Sequence, residues 1–272
     1  MTPLVIVFVA VVAATMSVGV VAHRRAWSAW GGPSAWGGAI ARRFGAIPAM
    51  LIVAIVGYAV TFVVSLALGF LAKAVQDAVD EPTFKWVQAR VQDNAFTRLN
   101  EKLTYMGNNP IVQLVCLVAV IVLACAYNRR WWLPLLGVCG AYFGERYTQK
   151  ALARIVDRGH PPTSQGTFPS GGVARVLAVY GTVVVLVLIL DPQLSRAWRA
   201  GLWTGVATAS FVEAFTRVYL SKHWLTDAVF AVPIGALLML TNVAAVSALA
   251  AEGPTARSGA GKDARHLAVS KD

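Results

Sequence analysis

Seven apolar stretches dominate this chain, each close to the roughly 20 residues that a helix needs to cross the hydrocarbon core of a bilayer. They fall near 3–22, 47–72, 109–127, 131–150, 172–190, 200–219 and 225–250, and two of them hold internal charges. The pattern specifies an all-α integral membrane bundle. Composition agrees: 14% of the residues are charged, 57% are hydrophobic and the mean hydropathy is +0.60, whereas a soluble domain of this length needs far more polar surface.

The first stretch is followed, not preceded, by basic residues (His23, Arg24 and Arg25), which is the reverse of a secretory signal. It reads as a retained helix with its N-terminus outside. With that start, the segments 23–46, 128–130 and 191–199 and the tail after 251 lie inside, and they hold Arg42, Arg43, Arg129, Arg130, Arg196 and Arg199 among other cations. An odd number of spans therefore obeys the positive-inside rule, in a bacterial cytoplasmic membrane with a cytoplasmic tail. The net charge of +11 is explained by these loops and by anionic inner-leaflet lipid rather than by nucleic acid. Cys116, Cys125 and Cys139 all fall inside spans with no CxxC pair, so they read as buried small apolar residues and not as metal ligands or disulfides.

Three segments divide the chain: 1–46, an N-terminal span with a basic inner loop; 47–250, a six-helix core; and 251–272, a polar aperiodic tail expected to be disordered. Within the core, 74–107 is a long outer segment in which Phe84, Trp86, Val87, Val91, Phe96, Leu99 and Leu103 recur at three- and four-residue steps. A short amphipathic helix is expected there, serving as a connector whose apolar face needs cover or, alternatively, as a lid or lipid guide. The stretches 153–171 and 218–226 fall on the same outer side, so two loops far apart in sequence can face each other.

The second of these loops concentrates the chemistry. Arg217, His223 and Asp227 stand at a helix end, in the following turn and at the start of the next helix. An Arg can clamp phosphate oxygens, a neutral imidazole can attack phosphorus, and a carboxylate one turn on can fix the imidazole tautomer. The plainer reading is that Arg217 and His223 snorkel to the membrane surface. Glu213 argues against it, because a carboxylate inside a span, one turn before Arg217, can orient the guanidinium, although the two could also pair only to hide each other.

The run from Thr216 to Asp227 resembles the third box of the membrane-bound phosphatidic acid phosphatase type 2 family: Ser or Thr, Arg, five residues, His, three residues, Asp. All four fixed positions match. The second box of that family, Pro-Ser-Gly-His at a helix start, is approached by Pro169, Ser170, Gly171 and Gly172. The resemblance covers about residues 100–250 and implies a six-helix core to which the first span is an addition. It implies that His223 attacks the phosphate, that Asp227 assists, and that Arg217, Ser170, Gly171 and Gly172 border the phosphate, whose oxygens the free amides of the helix start would hold.

Two departures qualify it. Gly172 replaces the His that protonates the leaving group in the family. In the first box, whose pattern is Lys, six residues, Arg, Pro, aligning Pro161 puts Ala153 at the Lys and His160 at the Arg. Lys150, Arg154, Arg158 and Arg175 surround the same loop and helix start, so Lys150, Arg158, His160 and Arg175 are the candidates for relocated phosphate contacts. The expected function is a lipid phosphatase or phosphotransferase acting at the outer face on a phosphorylated or diphosphorylated lipid through a phosphohistidine, with no metal or other cofactor. The alternative is an impaired relative that binds a lipid phosphate or a protein partner without turnover.

Overall fold

The computed structural model describes residues 32–127, 130–164 and 166–250. The first span, its basic flank, Arg129 and the tail beyond 251 lie outside the described residues. The rest is helical: α1 (Gly32–Phe44), α2 (Ala46–Ala74), α3 (Glu81–Gln88), α4 (Ala95–Leu103), α5 (Asn109–Tyr127), α6 (Trp132–Val156), α7 (Gly171–Leu190), α8 (Arg196–Tyr219) and α9 (Leu225–Ala250). Six of these are 19 to 29 residues long and match the last six expected spans.

Helices α2, α5, α7 and α9 are long and apolar enough to cross a membrane, and the chain is an integral membrane protein. In α7 and α9, 61% and 67% of the most apolar window is buried, against 11% in α2 and α5. The first pair is therefore the centre of the bundle, and the second presents Ile55, Val63, Leu117 and Ile121 to lipid. Helices α6 and α8 are equally long but amphipathic, carrying Glu145, Arg146, Glu213 and Arg217 in their second halves.

Small residues let these helices approach. On α6, Gly137, Gly140 and Gly144 recur at three- and four-residue steps, and a Cβ on Gly140 would stand 2.5 Å from the Asn242 side-chain oxygen. Asn242 donates to the Gly137 carbonyl at 2.6 Å, and Tyr58 of α2 donates to the Gly140 carbonyl at 3.2 Å. A polar group in hydrocarbon has no water to turn to, so such bonds fix the rotation of α6 against α2 and α9.

Two features differ from the sequence reading. The segment expected as a plain inner loop before residue 47 contains α1, which lies on the second half of α9 through Ala41 and Ala248, with Ala49 of α2 in the same cluster. It is too short and too alanine- and glycine-rich to register as a span, yet those small side chains allow close contact, and Arg42 and Arg43 in its last turn suit the helix dipole. Cys125, expected to be buried, is exposed on the lipid-facing side of α5.

Candidate active site

At one end of the bundle the start of α7, the end of α8 and the loop before α9 meet around a cavity of about 230 Å³. Its lining includes Gly171 and Gly172 of α7, Arg175 one turn further on, Arg217 of α8 and His223 of the loop. The amides of the first turn of α7 have no partner within their own helix, so the cavity combines backbone donors, the positive end of a helix and two guanidinium groups.

The two loops that border it are stapled together, as their shared side of the membrane allows. Thr163 donates to the Ser221 carbonyl at 2.8 Å and Ser164 to the Lys222 carbonyl at 2.5 Å. Gly166 lies so near that a Cβ there would stand 2.9 Å from His223 Nδ1. A glycine is needed at 166 for the chain there to lie flat against the imidazole.

His223 Nδ1 faces Asp227 Oδ2 at 3.4 Å, and the Asp227 side chain is fully buried. The same carboxylate oxygen accepts from the Trp224 amide at 3.2 Å, so the first turn of α9 aims it. On its other oxygen, Arg158 Nη1 approaches at 3.3 Å. Arg158 also pairs with Asp80, donates to Thr226 Oγ1 at 2.7 Å and to Gln76 at 3.3 Å. Asp80 in turn accepts from the Thr226 amide at 2.9 Å and its hydroxyl at 2.7 Å. Burial raises the Asp80 carboxyl above its usual value, while the Thr226 donors and Arg158 pull the other way.

On the opposite wall, Glu213 is fully buried and accepts from Arg217 Nε at 2.7 Å and from the Gly107 amide at 3.2 Å. Arg217 Nη2 donates to the Thr104 carbonyl at 3.2 Å and to the Asn108 side chain. Arg175 Nε pairs with Glu145 at 2.7 Å, and its Nη1 donates to the Gly107 carbonyl at 2.9 Å. Lys222 sits beside this wall, and burial, with Arg217 adding to it, holds its ammonium below the usual lysine value.

Of the residues singled out in the sequence, His223, Arg217, Arg175, Gly171 and Gly172 border one cavity, with Asp227 and Glu213 directly behind. Ser170 does not border it: its amide donates to the Asp227 carbonyl at 3.1 Å, and its buried hydroxyl has no partner among the described residues. Lys150 and His160 are exposed and lie off the cavity, as does Arg154. Arg158 is turned away into Asp80 and Asp227, because a guanidinium out of water takes the nearest carboxylates. Of the four candidates for relocated charge, Arg175 alone borders the cavity. Arg130 lies at the far end of α5, bonded to the last residue of α9.

The segment 74–107 forms two helices, α3 and α4, rather than one. Asn94 breaks the pattern by capping α4, accepting from the Thr97 amide at 3.0 Å. Phe84 packs edge-on to Trp224 at 5.6 Å, and Phe96 packs against Tyr219 at 5.3 Å. The segment and the residue after it also supply Asp80, Thr104, Gly107 and Asn108, none of which sequence reasoning assigned a role at the site. Asp80 had one available signal, a carboxylate just past the end of an apolar helix, but nothing local tied it to Arg158.

No family model matches the sequence, and no curated protein matches it. Among solved structures, the chain is similar to a transmembrane PAP2-type phosphatidylglycerolphosphate phosphatase from Bacillus subtilis, with a TM-score of 0.58 and 22% identity over 67% of this chain and 92% of that one. The architecture is that of the membrane phosphatidic acid phosphatase type 2 fold.

Proposed function

We propose that the chain is a lipid phosphatase or phosphotransferase that works through a covalent phosphohistidine at His223. The observation that carries this reading is the convergence of His223, Arg217, Arg175 and the α7 N-terminus on one cavity, with Asp227 behind the imidazole. The cavity opens at the end of a membrane bundle, where a headgroup can reach it from the lipid surface; the topology of the sequence makes this the outer face.

The chemistry follows from the geometry. With Nδ1 turned to Asp227, the proton belongs on that nitrogen and the lone pair on Nε2, the ring nitrogen left for the cavity. A separation of 3.4 Å orients the ring and shortens as positive charge develops on it. Nε2 donates its lone pair to phosphorus while the bond to the leaving oxygen breaks and that oxygen takes the electron pair. Arg217, Arg175 and the amides of Gly171 and Gly172 then face the charge on the equatorial oxygens. Water or another hydroxyl acceptor attacks the phosphorus from the far side and gives its proton to a phosphoryl oxygen, the P–N bond breaks, and Nε2 recovers its pair.

No acid stands at position 172 to protonate the leaving oxygen. A Cβ there would lie 2.5 Å from Glu213 Oε1 and 2.9 Å from Arg217 Nη2, so the volume an imidazole needs is filled. General acid catalysis is worth about 10²–10⁴-fold for an alkoxide leaving group. It matters little for a leaving phosphate, whose second pKa is near about 6. The reading therefore favours a lipid diphosphate.

The test is phosphate release by the purified protein from a paired set of lipid mono- and diphosphates. Faster turnover of the diphosphate, lost in His223→Ala, is the expected result; equal rates in wild type and His223→Ala refute it. The empty acid position and the outward-facing Lys150 and His160 favour a second reading, a phosphate-binding protein without turnover. Binding of both lipids with release from neither establishes that one.

A further inference from the structure

Behind the imidazole, three ionic side chains stand in a row, each at most 1% exposed. Asp80, between α2 and α3, pairs with Arg158, just past the end of α6, and Arg158 Nη1 faces Asp227 Oδ1 at 3.3 Å. The other oxygen of Asp227 faces His223 Nδ1 at 3.4 Å, so the row ends on the ring that borders the cavity. Asp80 also takes the amide and the hydroxyl of Thr226, which ties it to the first turn of α9, where Asp227 sits.

The charges in this row do not cancel, because two carboxylates share one guanidinium. The aligned N–H groups of Arg158 go to Asp80, Thr226 and Gln76, whereas it acts on Asp227 as a nearby charge. Among the described residues, the other cation-forming group against Asp227 is the imidazole itself. The remaining ionic groups on the cavity side are matched elsewhere: Arg217 by Glu213, and Arg175 by Glu145, while Lys222 feels Arg217, Glu213 and Glu101. Arg158 therefore balances Asp227 and lets the ring stay neutral, with a lone pair for phosphorus. Asp80 draws part of that charge away, which leaves Asp227 able to answer the positive charge that grows on the ring as Nε2 bonds.

We propose that Arg158 and Asp80 are positioning residues for the nucleophile and act on it with opposite sign: through Asp227, Arg158 lowers and Asp80 raises the pH at which the His223 ring gives up its proton. The inference rests on the proposed role of His223. A purely structural role for the pair moves stability and leaves that pH alone.

The experiment follows the ring of His223 by NMR in the full-length protein in micelles, with ring-labelled histidines. The chain has four, and the His223 signal is the one missing from His223→Ala. Removing a charge one carboxylate away predicts that Arg158→Gln moves the titration midpoint up by about one pH unit, or tenfold in proton affinity. Asp80→Asn, which keeps an acceptor for the Thr226 amide, moves it down by about half a unit. Arg158→Lys keeps the charge without the fork and stays close to wild type. The acid limb of phosphate release follows the same order, so the activity lost in Arg158→Gln returns as pH rises. If a single variant does not fold, Asp80→Leu/Arg158→Met, which strands neither charge of the pair, decides: its midpoint rises, but by less than one unit, because Arg158 is the nearer charge. Midpoints that stay put or move in the same direction in both single variants, or a double-variant midpoint at or below wild type, overturn the proposal and leave His223 as nucleophile untouched. The expected shifts in a protein that releases phosphate from no lipid support the wiring and refute the proposed turnover instead.

Discussion

Replacing Asp80 with Ala tests how much of the site is held from behind. Its carboxylate takes the Thr226 amide at 2.9 Å, the Thr226 hydroxyl at 2.7 Å and Arg158, and both charged side chains are at most 1% exposed. Truncation leaves Arg158 with one carboxylate, Asp227 at 3.3 Å, beside its neutral acceptors Thr226 and Gln76, and leaves the Thr226 amide without its acceptor. Removing one partner of a buried pair costs about 3–5 kcal/mol, and an orphaned buried donor about 1–3. The two losses share atoms, so the expected total is about 4 kcal/mol rather than their sum. Removing both charges in Asp80→Leu/Arg158→Met leaves no stranded guanidinium and is expected to cost less than the sum of the single changes, with a coupling of about 2 kcal/mol. Denaturant unfolding in micelles of the wild type, both single variants and the double variant supplies the cycle. A loss below about 0.5 kcal/mol for Asp80→Ala, or strict additivity, refutes the reasoning.

Asp227→Asn keeps the shape of the pair but presents an amide to His223 Nδ1; phosphate release is expected to fall by about 10²–10⁴-fold, with little change in the helical content measured by circular dichroism. Gly172→Ala drives a methyl group to 2.5 Å from Glu213 Oε1, and thermal unfolding should show a loss of about 1–3 kcal/mol. Lys222 has a lowered pKa, so between its folded and unfolded values the unfolded chain holds more protons and stability rises with pH. That rise, measured by unfolding on the alkaline side of neutrality, is expected to be small for a half-exposed group and to disappear in Lys222→Met.

The spans were legible because a membrane helix announces itself through continuous apolar length, and that signal placed all six long helices. The pairing of His223 with Asp227 and of Glu213 with Arg217 was equally legible, since four residues on a helix bring side chains together whatever surrounds them. The fate of the basic residues was not. Lys150, Arg154, Arg158 and Arg175 are alike in sequence, and which one borders the cavity depends on Asp80, Glu145 and the rotation of α6, all distant in the chain. Ser170 shows the same limit. Its place before α7 was evident, but the side on which its hydroxyl falls is set by a bond from its amide to the Asp227 carbonyl across the bundle.

Both guanidinium groups bordering the cavity already have a partner at 2.7 Å, Glu145 for Arg175 and Glu213 for Arg217. An anion arriving in the cavity therefore meets cations whose charge is already balanced, and it is held by the donors that the carboxylates leave, the remaining guanidinium N–H groups and the amides of Gly171 and Gly172. The catch is shallow by construction. Under the proposed reaction, what the site lacks in grip it gains in turnover, because an inorganic phosphate cut free of its lipid loses the anchorage of the tail and meets only guanidinium groups whose charge is already balanced. On that reading product leaves without stalling the protein, while the membrane, by keeping the lipid close, makes up for the weak hold on its headgroup.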